Sequence, residues 1–393
     1  MKVYLDNAAT TKLAPQVLEA MMPYLTDTFG NASSIHAYGR VAAGAVAEAR
    51  ATIAKLIGAD SDEIFFTSGG TESDNWAIKG AAFAEKNKKG HIITTEIEHP
   101  ALLQATKWLE GQGFSVSYAK INKDGFVSVE QIKQLIREDT FLISVMFANN
   151  EIGTIQPIAE IGKIASEQGI LFHTDAVQAM SSIPIDVKAM NIDLLSMSAH
   201  KFNGPKGIGA LYIKRGIKLD SLVVGGHQER SRRGGTTNTA GIVGMAKALE
   251  IACANMEANN AKILGLRDYF IDRVLAEIPY TFLNGSRENR LPFNANISFD
   301  YIEGESILMS LDLAGIAVSS GSACSSGALE PSHVILALQV PIEQAHGSIR
   351  FTLGHDTTKE EMDYTIEKLK ECVEKLRAWS PLFNVQSGKG YYV

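Results

Sequence analysis

Nowhere in the 393 residues does an apolar run approach the roughly 20 needed to cross a bilayer, and the opening MKVYLDNAATT lacks a basic stretch followed by an apolar one. We therefore expect no membrane contact and a cytoplasmic protein. No block of like charge exceeds a few residues either: 37 Lys plus Arg face 44 Asp plus Glu, a net charge of −7. A nucleic-acid footprint needs clustered basic residues, so nucleic acid is not an expected partner and small solutes are. Neither G-x-x-x-x-G-K-[ST] nor G-x-G-x-x-G occurs, which removes the nucleotide P-loop and the dinucleotide fingerprint.

Cysteine is scarce too. Cys253, Cys324 and Cys372 are the only three, and none lies in a Cys-x-x-Cys pair, so neither a zinc site nor a dithiol motif nor a disulfide framework is expected. Cys253 in ALEIACANME and Cys372 in KLKECVEKL sit among apolar residues at helical spacing and read as buried helix positions. Cys324 differs: SSGSACSSG holds no large apolar side chain, which describes a mobile loop and not a core.

What the chain does have is alternation. With 45% hydrophobic residues it is long enough for two or three domains. From 63 to 213, short apolar runs alternate with stretches of 3.6-residue periodicity, the pattern of a parallel sheet wrapped by helices. The expected strands are EIFFT (63–67), HIITT (91–95), SVSYA (115–119), FLISVMF (141–147), ILFHT (170–174), DLLSMS (193–198) and GALYI (209–213). Helices are expected over 72–86, 100–112, 128–138 and 157–168, the last capped by Gly169. After about 240 the texture turns to a long helix near 241–277, strands at 294–300 and 348–354, and a final helix opened by a Thr358/Glu361 capping box, which is an α+β pattern.

Two strand ends carry the chemistry. HTDAVQ sets Asp175 just past one strand, and SMSAHKFNGPKG sets Ser198, His200 and Lys201 just past the next. Ligands of open parallel sheets bind outside the carboxyl ends of the strands, so these side chains are expected in one site. An acid and a lysine there suit pyridoxal phosphate, which needs a lysine for its Schiff base and an acid to keep its pyridine nitrogen protonated. FFTSGGTES adds two glycines and Thr71 between a strand and a helix, an anion cup for the phosphate. Each residue also has a plainer reading: Asp175, His99 and His200 as helix caps, Lys201 as a solvated lysine, Arg350 as half of a structural ion pair.

In this order, YLDNAATT, TSGGTES, EIEHPA, NNEIGT, HTDAVQ, SAHKFNGPKGIGALY, SSGSACSSG and SIRFTLG resemble the cysteine desulfurases of the NifS/IscS type, from near residue 3 to near residue 355, with SSGSACSSG similar to the first of that family's two groups. The resemblance implies the α/β aspartate-aminotransferase-like pyridoxal-phosphate fold (fold type I), with a seven-stranded, mainly parallel sheet in a large domain (15–240). A smaller α+β domain (1–14 and 241–393) would carry the loop of the catalytic cysteine, and the chain would work as a homodimer. It implies Lys201 as the Schiff-base lysine, Asp175 on the pyridine nitrogen, His99 stacked on the ring, and Asn150 and Gln178 on the ring hydroxyl. Gly70, Thr71, Ser198 and His200 would hold the phosphate, joined by Thr236 of the partner copy. Arg350 would clamp the substrate carboxylate, and Cys324 would take sulfur from L-cysteine as a persulfide, leaving L-alanine.

The expected acceptor is a further protein such as an iron–sulfur scaffold. No metal-ligand set is expected, Cys324 being the one residue with a role toward an iron–sulfur cluster. Thr237 and Asn203 depart from the family pattern, where an acidic residue and a ring side chain are common. The rival readings are a selenocysteine lyase or another class V enzyme, and a non-catalytic sulfur relay. Intact Lys201, Asp175, His99 and Arg350 count against the relay.

Overall fold

The computed structural model describes residues 1–84, 90–320, 331–384 and 389–390. After β1 (Val3–Tyr4), α1 (Pro15–Leu25) and α2 (Ala37–Leu56), strand and helix alternate. The run is β2 (Ile64–Thr67), α3 (Gly70–Phe83), β3 (His91–Thr95), α4 (Pro100–Gly111), β4 (Ser115–Ala119), α5 (Val129–Leu135), β5 (Thr140–Ser144), α6 (Ile158–Gln168), β6 (Leu171–Asp175), β7 (Leu194–Ser198) and β8 (Gly209–Ile213). The seven strands β2 to β8 form one sheet in the order β2-β8-β7-β6-β5-β3-β4. Strand β8 runs against both its neighbours, and the other pairs are parallel.

Successive side chains of a strand face opposite sides of its sheet, and the core is divided accordingly. Phe65, Ile92, Leu142, Leu194 and Leu211 pack with Trp76, Ile78, Leu102 and Leu109 of α3 and α4. Their chain neighbours Ile64, Phe66, Ile93, Ile143, Leu195 and Tyr212 belong to a second cluster with Ile53 and Ile161, from α2 and α6. Covered on both faces, the inner strands are buried nearly throughout, and that is why they read as continuous runs in the sequence, while the edge strand β4 is only half-buried. Helix α6 stops where expected, at Gly169 with φ of 67°, whose N–H returns to the carbonyls of Ala165 and Ser166.

A turn, α7 (Gln228–Ser231), in which Glu229 and Arg230 take positive φ, precedes α8 (Thr239–Ala254) and α9 (Met256–Glu277). The single helix expected over 241–277 is thus two, parted at Asn255, whose N–H caps α8 on the carbonyls of Cys253 and Ile251. Although the expected division of the chain puts it in the small unit, α8 packs on α1 and α2, and its Ile242, Met245 and Leu249 join the core of the large sheet. Next come β9 (Thr281–Leu283), β10 (Asn294–Phe299), α10 (Gly304–Leu313), β11 (Ile316–Ala317), β12 (Ser319–Ser320), α11 (His333–Ala337), α12 (Ile342–His346), β13 (Ser348–Thr352) and α13 (Lys359–Trp379). An antiparallel sheet, β12-β13-β10-β9, packs with α9, α10 and α13 around Phe270, Ile297, Phe299 and Phe351. The N-terminal β1 pairs with β11, so Val3 and Leu5 join this core. The Thr358/Glu361 capping box opens α13 as expected. Cys372 is buried and Cys253 half-buried; Cys324 lies outside the described residues. Among the described residues no helix is long and apolar enough to cross a membrane.

Candidate active site

Because β2 and β7 both run against β8, β2 points the same way as β7, and the carboxyl ends of β2, β3, β5, β6 and β7 share one edge of the sheet. That edge gathers the residues singled out in sequence: Gly70 and Thr71 after β2, His99 after β3, Asn150 after β5, Asp175 and Gln178 at β6, and Ser198, His200 and Lys201 at β7. Arg350 arrives from the other sheet, in the middle of β13, opposite Asn296 of β10 and Ser319 of β12.

Asp175 is buried, and its Oδ1 accepts the Val177 N–H at 2.9 Å. Burial pushes its carboxyl up to about 6, against the pull of that N–H and of the Lys201 charge. Lys201 donates to the carbonyls of Ala8 and, at 2.9 Å, Ala9. The Ala8 carbonyl also accepts Gln178 Nε2 at 2.9 Å. His99 is the N-cap of α4, its Nδ1 accepting the Ala101 N–H at 3.1 Å, so the plainer reading holds for its position. Burial, helped by Lys201 and His333, lowers it to about 4, which leaves a neutral ring. His200 is lowered to about 4 by burial and then by Lys201 and Lys206, and its Nδ1 lies 3.2 Å from Thr10 Oγ1.

The residues fit pyridoxal phosphate on two observations. The first is a cradle: a Cβ on Gly70 would stand 2.9 Å from Val177 Cγ2 and 3.7 Å from Ser198 Cβ, and Gly69 and Gly209 approach so closely that a Cβ on Gly209 would meet Gly69 Cα at 2.7 Å. Only glycine keeps that space, at the start of a 14-residue helix whose first N–H groups favour an anion. The second is the donor set, with an acid and a lysine at the ends of adjoining parallel strands and neutral imidazoles close enough to the lysine to feel its charge.

Arg350 is buried, with Nη1 on the Asn150 carbonyl and Nη2 on Asp6 Oδ1, both at 2.9 Å, while Nε has no hydrogen-bond partner among the described residues. The Asn150 side chain makes no hydrogen bond among the described residues; its main chain does the holding. Thr236 is exposed and likewise makes no side-chain hydrogen bond among the described residues, so within one copy of the chain it is not brought into the site. Thr237 is half-buried. Asn203 takes φ of 62°, a conformation asparagine tolerates better than an aromatic residue, and its Nδ2 donates to the Lys12 carbonyl.

Sequence reasoning gave no role to the residues of YLDNAATT, yet Asp6 meets Arg350, Ala8 and Ala9 meet Lys201, and Thr10 and Thr11 meet His200. It also passed over three buried acids. Glu98, raised by burial to about 8, accepts Thr95 Oγ1 and the Met146 N–H. Glu151, raised to about 7, accepts Ser332 Oγ. Asp74 is raised by burial and by the Asp175 charge. It stands 3.8 Å from His173, too far for a hydrogen bond, and burial keeps His173 uncharged.

Residues 3–365 match the family model described as Aminotransferase class-V. Over 380 residues, 97% of this chain and 96% of the other, the sequence is 57% identical to a protein of Dictyoglomus turgidum named cysteine desulfurase IscS. A solved structure described as a NIFS-like protein superimposes with a TM-score of 0.90 at 39% identity, covering 96% of this chain and 100% of that one. Another, described as SspA in complex with cysteine, gives 0.81 at 39% identity, over 90% and 99% of the two chains.

Proposed function

We infer that this chain, which belongs to the class-V aminotransferase family, is a pyridoxal-phosphate cysteine desulfurase converting L-cysteine to L-alanine and passing the sulfur to a protein acceptor. The observation that carries this reading is that Asp175 and Lys201 close adjoining parallel strands beside the Gly70 cradle. Bound pyridoxal phosphate supplies an electron sink at the substrate's α-carbon. Gly70, Thr71, Ser198 and His200 would hold its phosphate, Asp175 would keep its ring nitrogen protonated, Asn150 and Gln178 would meet its ring hydroxyl, and neutral His99 would pack against it.

Arg350 takes the substrate carboxylate and fixes which bond of the α-carbon faces Lys201, whose Nζ then moves the α-proton. Cys324, from the SSGSACSSG motif, attacks the substrate sulfur as a thiolate; the new S–S bond forms as the substrate's Cβ–S bond breaks, and the carbon skeleton leaves as alanine. The working form is a homodimer, to which Thr236 contributes across the interface. Phe29, Ile35, Tyr38, Val41 and Val224, all exposed in the single chain, supply apolar surface for it. The acceptor is an iron–sulfur scaffold protein, and few cysteines with no dithiol motif suit a reducing cytoplasm.

Two variants test the assignment together. Lys201→Ala should remove the yellow absorbance of the holoenzyme. Cys324→Ser should keep the colour and lose alanine formation by at least a hundredfold, since a hydroxyl can neither attack sulfur well nor hold a persulfide. Alanine made at the wild-type rate by Cys324→Ser, or a persulfide mapped by mass spectrometry to Cys253 or Cys372, sinks the desulfurase reading.

A further inference from the structure

Arg350 is an unusual anchor for a substrate because it already has a counter-ion. Its side chain is 5% exposed and that of Asp6 is 22% exposed, with Asp6 Oδ1 at 2.9 Å from Nη2. The two ends of the guanidinium are held differently. Nη1 donates to the Asn150 carbonyl, a main-chain atom of the β5 exit that cannot turn away. Nη2 is held by a side chain whose carboxylate has no other side-chain partner among the described residues. The Asp6 backbone is fixed independently, its carbonyl accepting the Ala9 and Thr10 N–H groups and the Tyr4 hydroxyl. The carboxylate can therefore rotate into water while the strap bearing Ala8 and Ala9 stays on Lys201. Nε, buried without a hydrogen-bond partner among the described residues, marks an edge of the guanidinium that Asp6 and Asn150 leave open.

Accepting the reading of Arg350 as the carboxylate-binding group, we propose that Asp6 is an internal competitor for that site: it holds Arg350 in place while the site is empty, yields Nη2 to the substrate carboxylate, and so sets how weakly carboxylate ligands bind. Two carboxylates cannot share one buried guanidinium cheaply, because the second brings an unbalanced negative charge into a site of low dielectric. Handing Asp6 to water removes that charge. The exchange also keeps alanine from binding tightly, which favours its release.

The test uses the holoenzyme with L-alanine, which keeps the carboxylate, and L-alaninamide, which lacks its charge, titrated by calorimetry. In Asp6→Asn we expect L-alanine to bind about tenfold tighter and L-alaninamide to bind unchanged, the pattern of a removed charge competitor. The unliganded variant should melt lower than the wild type, since Arg350 has lost its counter-ion, and should gain more in Tm from L-alanine. A residue that merely supports the strap would give weaker binding of both ligands and no larger gain. Unchanged or weaker L-alanine binding overturns the proposal. A crystal structure of the wild-type L-alanine complex is the second arm and needs no variant: Asp6 turned off Nη2 supports the exchange, and Asp6 still on Nη2 overturns it. Arg350→Ala separates the two layers. If it leaves L-alanine binding intact, the carboxylate assignment of Arg350 falls and Asp6 with it; if it weakens binding while Asp6→Asn does nothing, only the competitor role fails.

Discussion

Glu151 gives the most direct measure of what burial does to an acid at this site. The residue is 6% exposed, its Oε2 accepts Ser332 Oγ at 2.5 Å, and burial lifts the carboxyl from 4.5 to about 7 against the opposing pull of that hydroxyl and of Arg350. The native protein thus keeps a proton on Glu151 at pH values where the unfolded chain has released it. The stability this contributes is fully present below pH 4.5 and is lost as the pH climbs to about 7, beyond which nothing more is lost. At about 1.4 kcal/mol per pKa unit, the loss is about 3 kcal/mol. Glu151→Gln removes the titrating group and keeps an oxygen for Ser332. In urea unfolding at pH 5, 6, 7 and 8, the stability of the variant relative to the wild type should rise by about 2 to 3 kcal/mol across the series, the first part of the loss having already occurred by pH 5. Any constant cost of burying the amide cancels in that comparison, as does the titration of Glu98, which both proteins share. Parallel pH profiles, within about 0.5 kcal/mol of each other, would mean that Glu151 is ionised in the native state and that Ser332 and Arg350 outweigh burial.

Two further outcomes are expected. In Gly70→Ala the new Cβ lies 2.9 Å from Val177 Cγ2, so a side chain must shift while the fold survives; cofactor affinity, read by absorbance titration, should fall about tenfold or more, and an unchanged affinity would remove the phosphate from this helix start. Sedimentation should give twice the chain mass at micromolar concentration, and a dilute monomer with full turnover would exclude a shared site.

Much of the fold was legible because the chain writes it locally. The strand runs 91–95, 115–119 and 209–213 appear with the expected bounds; the first and last are buried on both faces, and 115–119, at the sheet edge, is marked by Val116 and Tyr118. Two departures have local causes. FLISVMF runs to residue 147 whereas β5 is bounded at Ser144, yet the Val145 and Phe147 N–H groups still donate to the His173 and Asp175 carbonyls of β6 before the chain reaches the Ala148–Ile155 bridge. The break at Asn255 is signalled only by that asparagine, which suits a helix end, while the alanines and Met256 and Glu257 on either side continue helical, and the cap reveals two helices.

The site divides along a different line. Asp175, Lys201, His99 and Gly70 could be found because their chemistry is in the side chain, or in its absence, and a strand end tells where it goes. The strap at residues 6–11 could not, because what Ala8 and Ala9 offer Lys201 is a carbonyl, which every residue owns. Glu98 and Glu151 escaped for a related reason: the sequence gives an acid's type but not its dielectric surroundings, and burial is the largest cause of the shift in both. Asp6 sits between the two cases. Its charge was visible, but its meaning depends on a partner 344 positions away that reaches it only after β1 pairs with β11 and β13 settles beside the N-terminal strap. An ion pair of such separation forms only when β13 has settled beside the N-terminal strap, and because Arg350 Nη1 rests on the Asn150 carbonyl past β5, the carboxylate site proposed for Arg350 depends on the smaller sheet and the large one together.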